Sequence, residues 1–135
     1  DSTMPDFNPW ATLVAALSAF MLGGLWYSPA LFGKAWQREV GLSDDALANA
    51  PMGRIFGGAF ALSLLAAFVF ALFLGPAPAL PFALGAGAAA GFGWVAAGLG
   101  INYLFARRSL RLFAIDGGYL GLMFVLFGLV LGLWH

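Results

Sequence analysis

Apolar residues fall in four long runs, at about 9–28, 53–75, 81–105 and 112–134, none of which carries a charge in its central portion. Each run reaches the roughly 20 residues that a helix needs to cross a hydrocarbon core. Helices are expected because backbone N–H and C=O groups find no water partners there. Asn8-Pro9-Trp10 opens the first run with a capping residue followed by proline at the first helical position. Gly75 to Pro81 and Ala106 to Ser109 leave room only for tight antiparallel turns. The pattern predicts an all-α, integral membrane four-transmembrane-helix bundle, one domain over residues 1–135.

The remaining gap, about 29–52, is the only long one. Leu31, Phe32, Ala35, Trp36 and Val40 recur at helical spacing, with Lys34, Gln37 and Arg38 on the other side. This predicts a short interfacial amphipathic helix after the first span, capped by Ser28-Pro29 and ended by Gly41. Ser43-Asp44-Asp45-Ala46-Leu47 predicts a second short helical start. All six Lys and Arg (Lys34, Arg38, Arg54, Arg107, Arg108 and Arg111) lie in the two connections that share a side. The positive-inside rule then makes 29–52 a cytoplasmic interfacial segment and sets both termini outside the cytoplasm.

Composition sharpens the class. Of the 135 residues 62% are apolar and 9% charged, against about 45–50% and about a quarter in soluble domains. A fold of this size cannot hide so much apolar surface, which excludes a soluble enzyme or a disordered chain. A net charge of zero argues against nucleic acid. Without cysteine, and with His135 as the one histidine, thiolate and histidine-cluster metal sites are excluded, and no cofactor is expected. No basic stretch precedes the first run, so the N-terminus is not read as a signal peptide; Asp1-Ser2-Thr3, ahead of Met4, is set aside.

The halves look alike. Gly24-Leu25-Trp26-Tyr27 followed by Leu31-Phe32-Gly33-Lys34 parallels Gly100-Ile101-Asn102-Tyr103 followed by Leu104-Phe105-Ala106-Arg107. Either these are two parallel αα-hairpin repeats about a pseudo-two-fold along the membrane normal, or glycine-rich apolar runs match by chance. In the third run Gly87 and Gly91, and Gly85, Ala89 and Gly93, form small faces four residues apart. These serve packing inside the bundle or a homo-oligomer seam.

Trp26-Tyr27-Ser28-Pro29, then Leu31-Phe32-Gly33-Lys34 and Trp36, resembles the signature of an uncharacterised family of small bacterial four-helix membrane proteins, known only as a domain of unknown function. Asn8, Tyr103-Leu104-Phe105 and Gly118-Tyr119 resemble its weaker positions. The resemblance implies the bacterial inner membrane and four helices, and no activity.

Eight positions stand out as ligand or interface candidates. Trp26, Tyr27 and Trp36 form an aromatic belt or, with Lys34, a rim for a lipid headgroup or amphipathic ligand. Asn102 and Tyr103 fall at similar depth and are placed to face Trp26 and Tyr27. Asp116, the one carboxylate inside a run, is read as ion-paired with Arg111, Arg107 or Arg54, or else as a proton or cation site. Trp94 at the midplane needs an acceptor for its indole N–H, from Ser18, Ser63 or a backbone carbonyl. No convergent acid, base and nucleophile is present, so an enzyme is not expected. The favoured reading is a non-catalytic protein that binds membrane lipid or a small ligand, or serves a larger membrane complex as an accessory subunit, itself a homo-oligomer or bound to partners. The alternative is an oligomeric transporter or channel for a small neutral or apolar solute.

Overall fold

A computed structural model describes residues 7–134, and its regular elements are all helices, with no strand among the described residues. Residues 1–3 and His135, considered above, lie outside the described residues. Four helices are long and apolar enough to cross a membrane: α1 (Pro9–Trp26), α4 (Met52–Leu74), α5 (Leu80–Phe105) and α6 (Leu110–Leu133). Their ends agree with the four apolar runs to within two residues. Between α1 and α4 lie the short α2 (Gly33–Val40) and α3 (Asp44–Ala48).

Local chemistry sets the boundaries. The Asn8 side chain accepts from the amides of Trp10 and Ala11, Ser43 caps α3 and Ser109 caps α6. Gly41, at φ 84°, ends α2 in the left-handed region that glycine enters without strain. The turn after α5 has the same form but places an arginine there. Arg107 sits at φ 59°, its amide donating to the Leu104 carbonyl and that of Arg108 to the Tyr103 carbonyl. Ser28-Pro29 does not cap α2. Ser28 instead donates to the Leu25 carbonyl, its own carbonyl accepts from Leu31 and Gly33, and α2 begins four residues beyond Pro29. Gly33 is required in that turn, because a Cβ there would lie 2.8 Å from the Ser28 carbonyl.

The spanning helices form an open bundle in the order α4–α1–α6–α5, with α6 packed between α1 and α5, and α4 mainly on α1. A two-fold relating the hairpins α1–α4 and α5–α6 would also join α5 to α4, and no substantial packing does so. The repeat therefore does not become a symmetric bundle. Contact is made where side chains are absent. On α5, Gly91 lies so close to α6 that a Cβ would come within 2.6 Å of the Gly121 carbonyl, and one on Gly87 would strike that of Phe124. Hydrocarbon supplies no hydrophobic drive for helices to associate, so close backbone approach carries the packing. Gly85 and Gly93 face open space, so only one of the two small faces of α5 serves the interior. The middle of α5, Ala89–Ala96, is π-helical, and here the Phe92 ring lies directly on Gly121.

On the other side of α6, the fully buried Ala11, Ala15, Ala16 and Ala19 of α1 pack with Ala67, Phe70 and Ala71 of α4. Phe124 and Phe127 of α6 complete this core, their rings 5.0 Å apart. Burial along α4 is one-sided. Ser63, Ala67, Phe70 and Ala71 are buried, whereas every residue from Pro51 to Ala59 is exposed.

Candidate functional site

The structure gathers the unusual side chains where α1, α5 and α6 meet on the cation-bearing face. Asp116 lies two turns into α6. Its two carboxylate oxygens are taken by two tyrosines: Tyr27 donates to Oδ1 at 2.6 Å and Tyr103 to Oδ2 at 2.5 Å. These are the two tyrosines that the half-repeat aligns, one at the end of α1 and one near the end of α5, closing on the central helix from either side. Asp116 is thus not held by Arg111, Arg107 or Arg54 as expected. Its charge is met by phenol donors, and hydrogen bonds to an ionised group contribute about 1.5–3 kcal/mol each. A carboxylate inside a spanning segment is otherwise costly, so the clamp is what allows it there.

Aromatic rings enclose the clamp. The Trp26 indole donates to the Ile115 carbonyl at 2.8 Å, one residue before Asp116. Tyr27 makes edge-on ring contacts with Trp36 of α2 at 5.8 Å and with Tyr119 of α6 at 5.5 Å. Tyr119 in turn donates to the Ala19 carbonyl. Gly118 and Gly23 make room for this packing, their missing Cβ atoms lying 3.2 Å from the Trp26 ring and 3.0 Å from the Tyr119 hydroxyl. Trp36 is half-buried against protein, so the apolar face of α2 is partly spent on Tyr27 and not wholly on lipid. Glu39 of α2 accepts from Ser109, tying the connecting helix to the start of α6.

Of the eight candidates, Trp26, Tyr27, Trp36, Tyr103 and Asp116 come together. Lys34 and Asn102 are exposed and take no part in the clamp. Trp94 is far from it and projects outward, 76% exposed. Ser18 and Ser63 do not serve it, because they donate to the carbonyls of Ala15 and Ala59 in their own helices. Tyr119, which the sequence marks only as a weaker position of the family resemblance, and the Ile115 carbonyl join the site without being among the eight candidates. Tyr119 had a usable signal, since it stands three residues from Asp116 and so shares its helix face.

The second component of the site is charge. Lys34, Arg38, Arg54, Arg107, Arg108 and Arg111 are all exposed, and the topology gathers them on one face. Three of the four acids on the same face are engaged with neutral donors, Glu39 with Ser109, Asp44 with Gln37 and Asp116 with the tyrosines; Asp45 is the fourth. No group of three or more His, Cys, Asp or Glu suited to a metal occurs among the described residues.

Fold and site together define an all-α protein with four membrane-spanning-length helices, three of them pinned at one end by a tyrosine–carboxylate clamp. The profile of a family described as "Protein of unknown function (DUF1761)" matches residues 10–132, and the chain belongs to that family. No curated protein sequence and no solved structure matches it.

Proposed function

We propose that this protein works by binding and not by catalysis, with its cationic face engaging the anionic headgroups of the membrane it spans. One observation carries the reading. Six exposed cations share a face with four acids, three of which are engaged by neutral donors within the chain, and this leaves an excess of positive charge for an outside partner. Each Lys or Arg near an anionic leaflet contributes about 1 kcal/mol of attraction. The same asymmetry supports the bacterial inner membrane, with that face in the cytoplasm and both termini outside. The clamp is the structural part of the device, holding α1, α5 and α6 in register beneath the charged rim.

The test is thermal unfolding of the delipidated full chain in detergent with added phosphatidylglycerol or phosphatidylcholine. The anionic lipid is expected to raise the Tm more, and the difference is expected to shrink as salt is raised toward 1 M, where the screening length falls to about 3 Å. Equal shifts from the two lipids would overturn the reading.

A further inference from the structure

A groove of about 680 Å³ runs along the seam between α1 and α4 on the lipid-facing side. Its walls are apolar, with Trp10 and Leu13 from α1 and Ala61, Leu64 and Leu65 from α4. At the end away from the cations it is lined by Phe7, whose ring stands edge-on to that of Phe68 at 5.1 Å. Gly53 and Gly57 continue the line of Ala61 at four-residue intervals, which places the three on one helix face. A Cβ on either glycine would meet nothing within 4 Å. The open strip ends at Arg54, an exposed cation in a first helical turn that contains no acidic residue.

An apolar trough whose line is prolonged over open glycines toward a cation two turns beyond Ala61 complements a neighbour with an acyl chain and a negatively charged head. The geometry points to one anionic phospholipid bound at this seam, its chain along the α1–α4 groove and its phosphate at Arg54. Dimensions agree. Arg54 to Leu64 spans about 15 Å at 1.5 Å per residue, half of the ~30 Å hydrocarbon core, so a lipid headed at Arg54 carries its chain down to the groove wall. The inference rests on the reading that the cationic face binds anionic headgroups, and narrows it to one lipid and one place.

Native mass spectrometry of the delipidated full chain, titrated with phosphatidylglycerol or phosphatidylcholine, tests it. The chain is expected to retain one phosphatidylglycerol in preference. Arg54→Ala is expected to weaken that first binding about fivefold, the effect of one cation near a phosphate, and Arg108→Ala, on the α5–α6 turn of the same cationic face, to weaken it markedly less. Gly57→Leu, which has space to fold, is expected to remove the first binding event by filling the strip, and Gly53→Leu serves equally if that variant does not fold. Full retention in both Arg54→Ala and the glycine variant would overturn the site while leaving the reading of the basic face intact. Equal losses in Arg54→Ala and Arg108→Ala would do the same, because charge summed over the face would then suffice. No preference between the lipids in the unaltered chain would sink both.

Discussion

Helices α4 and α6 begin alike and end up in opposite roles. Each starts on the cation-bearing face with an arginine in its first turn, and they run 23 and 24 residues. Yet α4 has the higher mean hydropathy, 2.4 against 1.9, and is half as buried over its most apolar window, 22% against 44%. In water the more apolar helix would be the core. In hydrocarbon that rule loses its force, because lipid is as apolar as leucine, and contact goes to the helix whose backbone can be approached. Gly117, Gly121, Gly128 and Gly132 are buried on α6, whereas Gly53, Gly57 and Gly58 of α4 face open space. With five glycines on α6 and three on α4, what stands opposite each glycine separates the two helices more than their number does.

The largest effect expected is at the α5–α6 seam. Gly91→Leu should cost about 3 kcal/mol or prevent folding, since its side chain would enter the Gly121 backbone, while Gly57→Leu on α4 should stay within about 0.5 kcal/mol. Thermal unfolding in lipid-free detergent measures both, and a comparable loss at Gly57 would break the contrast between the helices. Next in size is the clamp. Asp116→Ala leaves two phenols without their acceptor and should cost about 2–3 kcal/mol, with Asp116→Asn costing less because a carbonyl oxygen remains for one tyrosine. Loss of less than about 0.5 kcal/mol in Asp116→Ala would remove the clamp from the account of why α6 is central.

Tyr27→Phe and Tyr103→Phe should each cost about 1.5 kcal/mol. A double-mutant cycle between them should show coupling of about 0.5 kcal/mol or more, because both act on one carboxylate. Strict additivity would mean that the two sides of α6 are held independently. Smallest is Arg107→Gly, expected to stabilise by about 1 kcal/mol through relief of a left-handed conformation that costs a side chain roughly 1–2 kcal/mol. A destabilised variant would show that the Arg107 side chain makes a compensating contact.

Much of the fold was legible because its governing constraint is local. A run of twenty apolar residues has few ways to satisfy its backbone in lipid, and caps such as Asn8, Ser43 and Ser109 work within three residues of themselves. The candidate site was legible in its members and not in its bonds. Tyr27, Tyr103 and Asp116 were each conspicuous, yet arginines looked the natural partners of a carboxylate because charge is easier to read from sequence than the direction of a phenol. Trp94 was misplaced for a related reason. Depth in the membrane follows from counting residues, while the face a side chain occupies depends on which neighbour the helix finds.

The residue string by itself determined four crossings, the short helices between the first two, and the gathering of every cation on one face, since each follows from backbone satisfaction, local capping and chain connectivity. Tertiary structure alone decided that α6 is central and α4 peripheral, that Gly87 and Gly91 point inward while Gly85 and Gly93 do not, and that two tyrosines 76 residues apart share one carboxylate. Those outcomes depend on the lateral order of helices in lipid, where apolar composition exerts no preference and only the fit of one backbone against another selects the arrangement.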